Sequence, residues 1–290
     1  MGISPHVFSF FITLYNKGFF NNLNSIMELG SQDFGGDPQD ILFFLKSIGK
    51  DTSLLSKTYD NQGGITIKEL IKKSCSFSGK VFYEWLGFKN YECIDSDGKW
   101  NAKIFDLNLD LKEKYNYDLQ FDVTTNFGTS EHVFNQLMFF KNMHNLTKEN
   151  GYMIHYVPFK IYQSHCLYHY TTSFFTSLAY YNKYKLVTQW VLLNEKKPTL
   201  EIDDKTLGKM YNDREITNII ALYVFQKTSS EEFKIPFQID SIYFDNNKLG
   251  TYGTTRNIKK SAVNVIRKIV NKKINSKLLY PKKNTKSFVD

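Results

Sequence analysis

An alternation constrains this chain more than any other feature: short apolar runs separated by longer amphipathic stretches, from about residue 25 to about residue 226. Strands divided by helical segments cannot join through tight hairpins, so they pack as a parallel sheet with helices on its faces. The runs at 25–29, 91–94, 103–105, 119–124, 152–157, 186–193 and 218–226 read as strands. Segments 38–48, 80–86, 131–145 and 171–181 read as the helices between them. Pro38 suits a first helical turn, where its missing N–H costs nothing. Thr129 or Ser130 is placed to cap the helix expected from Glu131. A long polar connection, 194–213, precedes the last run, so five strands alternate with helices and two close the sheet.

A chain of 290 residues can bury one large core and carry an appendage. No apolar run approaches the roughly 20 residues needed to span a bilayer. The apolar stretch 7–15 has no Lys or Arg before it and no small-residue cleavage site after it, so it reads as a helix and not a signal peptide. Cys75, Cys93 and Cys166 are odd in number, widely spaced and without a CxxC pair. Such usage points to a reducing compartment, and a cytoplasmic location is expected. The net charge of +8 is uneven: residues 251–290 hold 11 Lys and Arg against one acid, while the first 250 are close to neutral.

The chemistry sits at the ends of the strands. The first ends in Glu28-Leu29-Gly30-Ser31-Gln32, and a glycine directly after a strand lets a ligand approach the backbone. The second ends in Asp95, a carboxylate able to accept from both hydroxyls of a ribose. The third ends in Asp106-Leu107, an acceptor for an exocyclic amine beside an apolar face for a purine. The fourth gives Phe121-Asp122 and then Asn126-Phe127-Gly128-Thr129. In doubly wound sheets these carboxyl ends are where ligands bind.

On these residues, over about 20–228, the chain resembles the class I S-adenosylmethionine-dependent methyltransferases. The resemblance implies an α/β fold: a Rossmann-like, doubly wound, mostly parallel seven-stranded sheet with an antiparallel closing strand. It implies S-adenosyl-L-methionine as cofactor, with Gly30 beside the methionine moiety, Asp95 on the ribose and Asp106 at the adenine. Glu28, Ser31, Gln32, Leu107 and Asn126 complete the expected cofactor-binding set. Gln32 stands where the family's motif carries its second glycine, and the interval from Gly30 to Asp95 is long. An insertion at about 51–78 accounts for that interval and is a candidate lid. The catalytic domain is expected over 1–228.

The loop after the fifth strand faces the acceptor in this fold, and it carries His165 and His169. A hydroxyl acceptor benefits from a general base, for which imidazole is suited near neutral pH. His165 is the first candidate, followed by His169 and His155. The same three histidines are set aside as metal ligands because no carboxylate lies near them in sequence, so no metal is expected. Asn126-Phe127-Gly128 lacks the prolines of enzymes that methylate nucleic-acid amines. Tyr162, Tyr168 and Tyr170 are placed to stack on a sugar or small ring, so the expected acceptor is a small-molecule or saccharide hydroxyl.

Residues 229–290 form a basic C-terminal extension with an amphipathic helix at about 257–278, its apolar stripe running from Ile258 through Val265 and Ile269 to Ile274. Its basic face, within 256–286, suits weak contact with an anionic surface, and the stripe suits the domain itself or a second copy of the chain. The alternative reading is a catalytically silent Rossmann-like module that binds nucleic acid or a membrane surface through this tail. A nicotinamide-dependent oxidoreductase is disfavoured, because no Gly-x-Gly-x-x-Gly follows the first strand.

Overall fold

The computed structural model describes residues 2–60, 75–160, 165–193 and 200–238. The extension beyond 238 with its expected helix at 257–278, Tyr162, and half of the candidate lid at 51–78 (residues 61–74) therefore lie outside the described residues.

The strands are β1 (Ser25–Leu29), β2 (Asp33–Gly36), β3 (Cys75–Ser78), β4 (Asn90–Ile94), β5 (Phe121–Phe127), β6 (Thr147–Lys160), β7 (Tyr184–Leu193), β8 (Leu200–Glu201) and β9 (Ile219–Lys227). The helices are α1 (Phe8–Asn16), α2 (Pro38–Ser47), α3 (Ser53–Asp60), α4 (Gly79–Leu86), α5 (Leu111–Tyr115), α6 (Gln136–Leu146), α7 (Thr172–Tyr181) and α8 (Asp204–Tyr211). The main sheet has the order β4-β1-β5-β6-β9-β7-β8. β4, β1, β5 and β6 run parallel, and β9 inserts antiparallel between β6 and β7. The chain leaves β1 toward β4 on one side and returns to β5 on the other, which makes the β1–β5 boundary a topological switch point.

Both faces are covered, and the covering is aromatic. On one face α1, α2 and α4 bring Phe8, Phe11, Phe44 and Phe82 together, with centroids of Phe11 and Phe82 4.7 Å apart and Phe11 5.8 Å from Phe127 of β5. On the other, Phe140 of α6 and Phe175 of α7 meet His155, Tyr223 and Phe225, with Phe175 stacked 4.7 Å from Tyr223. His155 and Tyr156 are neighbours on β6 and so point to opposite faces. At about 2–3 kcal/mol for each fully buried ring, this packing is the main use of the chain's aromatic residues.

Three expected elements differ. The run 103–105 is not a strand: Lys103 makes a single parallel bridge to Ile94, and the tight turn in which the Phe105 amide donates to the Lys103 carbonyl (2.9 Å) ends the ladder there. The seventh strand is instead the short edge strand β8, inside the polar connection 194–213. The helix expected from Glu131 begins at Gln136, capped by Asn135, whose side chain accepts from the Met138 amide. Before it, Ser130–His132 form one 3₁₀ turn, and Thr129 makes no side-chain cap. An antiparallel pair, β2 with β3, also stands beside the main sheet and uses Gly35 and Gly36 as strand residues. Past β9 the described chain stays on the same unit, with the Asn182 side chain donating to the Lys234 carbonyl and accepting from its amide.

Candidate nucleoside cleft

Three strand tips are knitted together at the switch point. Gly30 leaves β1 with φ +83°, a conformation that favours glycine, and its amide donates to the Ile94 carbonyl at the end of β4 (2.8 Å). A Cβ on Gly30 would run into the Thr129 side chain, 2.7 Å from its methyl. Glycine is thus required by Thr129 beyond the tip of β5 as well as by the turn. Ser31 donates through both its amide (2.8 Å) and its hydroxyl (3.1 Å) to one carboxylate oxygen of Asp95, fixing the acid in place.

Beneath this floor lies Glu28, fully buried. Its carboxylate accepts from the Tyr91 hydroxyl (2.7 Å) and the Gln32 amide (3.0 Å), while the Gln32 side chain donates to the Gly30 carbonyl (3.0 Å). Burial pushes the Glu28 carboxyl up to about 7 despite these hydrogen bonds. Glu28 is a strut under the loop and does not line the cleft. At the rim, Asp33 ties down the 97–101 turn through Lys99 (2.7 Å) and the Trp100 indole N–H (2.8 Å).

Above the floor opens a cleft of about 580 Å³, lined by Gly30, Ser31, Gln32, Asp95, Asp106 and Leu107 of the expected set. Asp106 is held by Asn108, whose amide (2.9 Å) and side-chain N–H (2.8 Å) donate to a single carboxylate oxygen. Phe105 on the same wall stacks on Tyr115 with centroids 4.1 Å apart.

The remaining expected residues lie elsewhere. Asn126 is fully buried under the β5 loop, donating to the Ser130 hydroxyl (2.8 Å) and accepting from the Ser130 amide (3.0 Å); it shapes the turn and does not reach the cleft. His155 is buried among Phe140, Phe175 and Phe225, and burial pushes it down to about 3. A neutral imidazole inside an aromatic core has no route to an acceptor. His169 is exposed and is not part of the cleft lining. Tyr170 is spent on the same turn, its hydroxyl donating to the Gln136 side-chain carbonyl (2.6 Å) and hydrogen-bonded to the Ser130 hydroxyl (2.8 Å), and the Tyr168 hydroxyl donates to the Phe134 carbonyl (2.9 Å).

The histidine on the cleft wall is His132, which sequence reasoning passed over because it fell inside an expected helix. His165 stands behind it, ring centroids 5.5 Å apart. Burial, and then the adjacent His165, holds the His132 imidazole below its usual value.

Fold and cleft together define a Rossmann-like α/β protein with an open cleft of about 580 Å³ at its switch point. No family model matches the sequence, and no curated protein matches it. Among solved structures, a SAM dependent methyltransferase from Archaeoglobus fulgidus is 10% identical over 76% of this chain and 94% of that one, with a TM-score of 0.38. The StiE O-MT structure is 11% identical over 76% of this chain and 75% of its own, with a TM-score of 0.34. An O-methyltransferase family protein from Burkholderia thailandensis is 12% identical over 77% and 57%, with a TM-score of 0.29. Overlaps this loose carry no argument about activity, which must come from the cleft.

Proposed function

We propose that this chain is an S-adenosylmethionine-dependent methyltransferase acting on a small-molecule or saccharide acceptor. One observation carries the reading: Gly30 at the tip of β1, Asp95 just past β4 and Asp106 in the turn that follows the Lys103 bridge line a single cleft. A nucleoside fits this donor and acceptor set. Asp95, already oriented by Ser31, would take the ribose hydroxyls; Asp106 would take the exocyclic amine, with Leu107 against the purine face. Gly30 and Ser31 would face the amino-acid end. The bound sulfonium supplies an electrophilic methyl group with a neutral leaving group. The chain's own task is then to align donor and acceptor and keep water out. The histidine pair His132 and His165 marks the side from which an acceptor hydroxyl would be activated.

Calorimetric titration with S-adenosylhomocysteine tests this. One saturable site is expected, and Asp95→Ala should weaken it at least about tenfold, or about 1.4 kcal/mol, with unchanged circular dichroism. A flat titration of the unaltered chain would remove the reading. Among the described residues no helix is long and apolar enough to cross a membrane.

A further inference from the structure

Beside the cleft, Glu131, His132 and His165 each turn one ligating atom toward the others, all within 4.8 Å. Glu131 is 0% exposed, and among the described residues neither of its carboxylate oxygens has a hydrogen-bond partner. A buried carboxylate left without a donor or a cation is costly, so such groups in folded proteins are paired or coordinate metals. The scaffold around it is fixed. The Leu167 and Tyr168 amides both donate to the Glu131 carbonyl (3.0 and 3.2 Å), clasping the His165 loop to the Ser130–His132 turn. Gln136 and Tyr170 hold that turn from beneath.

We propose that Glu131, His132 and His165 form a binding site for one divalent transition-metal ion, bordering the cleft through His132. Two imidazoles and one carboxylate suit zinc, iron(II), cobalt(II) or manganese(II), and leave coordination positions open. With metal–nitrogen and metal–oxygen distances of about 2.1 Å, the three groups need to close by only about 1 Å to share an ion. The carboxylate comes from the loop after β5 and the second histidine from the loop after β6, a pairing that the sequence separation of 34 residues concealed. An ion there would sit where an acceptor oxygen enters. That role rests on the proposed function, but the binding itself does not.

The test uses the full chain without an affinity tag, stripped with chelator and titrated with Co(II) and then Zn(II). One equivalent of Co(II) should develop visible absorption that Zn(II) bleaches. Glu131→Gln and His165→Ala should each weaken binding at least tenfold with unchanged circular dichroism, and His169→Ala should leave it unaltered. Zn(II) should raise the melting temperature of the unaltered chain and not that of Glu131→Gln. No stoichiometric binding by the unaltered chain, or equal loss in His169→Ala, would overturn the proposal. A parallel titration with S-adenosylhomocysteine separates the two readings: metal uptake without it leaves this site standing and removes the methyltransferase, and the converse outcome removes only the metal.

Discussion

Burying Glu28 makes the stability of this fold depend on pH in a direction unusual for an acid. The unfolded carboxyl titrates near 4.5 and the folded one at about 7, so between those values the native state holds a proton that the unfolded chain has released. Stability from this group is fully present below the lower value and is lost as pH rises through the upper one. Glu131 acts in the same sense, whereas His144 and His155, pushed by burial down to about 4 and about 3, act in the opposite one. The clean measurement is therefore a difference. Relative to the unaltered chain, Glu28→Gln should gain on the order of 2–3 kcal/mol between about pH 5 and about pH 8 in urea unfolding. A difference independent of pH would mean that Glu28 is ionised throughout. Gly30 offers a second test at this scale. Gly30→Ala meets both the positive φ and the Thr129 side chain, and should cost roughly 2–4 kcal/mol. Thr129→Gly should restore all but about 1–2 kcal/mol, the part that belongs to the backbone. That Gly30, Asp95 and Asp106 share one cleft was legible in the sequence, because a glycine or acid directly after an apolar run has a local signature, even though the run before Asp106 is a single bridge and not a strand. Asn126 and His155 were misplaced because nothing local tells an inward polar group that braces a turn from one that meets a ligand.

Between elements, capping chemistry decided where the sequence could be followed. α2 and α7 begin where expected, with the Asp37 and Thr171 side chains accepting from the Gln39 and Phe174 amides. α6 does not, because Asn126 captures the Ser130 amide and Gln136 the Ser130 and Val133 carbonyls, which turns the first expected helical turn into a separate loop. That competition is local, between residues three to six positions apart, but it turns on which backbone groups the Asn126 and Gln136 side chains capture, and the apolar spacing that suggests a helix from Glu131 does not display that. Asn135 joins this cap to the cleft wall: its side chain accepts from Met138 and donates to the Asn108 carbonyl (3.0 Å), and Asn108 in turn holds Asp106. Asn135→Ala should therefore lower stability by about 1–2 kcal/mol and also weaken S-adenosylhomocysteine binding a few-fold. Loss of stability with unchanged affinity would sever the link between helix and wall.

Over the molecule as a whole, the alternation of strands and helices was readable because burial on both faces leaves continuous apolar runs. Strand order was not, since nothing in the runs themselves says which edge each one joins. The outer side of the edge strand β4 shows the difference: Lys103 pairs there for one bridge only, so the wall carrying Asp106 is built from turns and side-chain ties, not from a ladder. The floor is another matter, because Gly30 with Ile94 and Ser31 with Asp95 are already joined inside the protein. A guest entering the cleft would meet a rigid base and a more compliant side. If that guest is the nucleoside proposed above, selectivity for its ribose end would come ready-made, while discrimination at the purine end would be the part open to drift under selection.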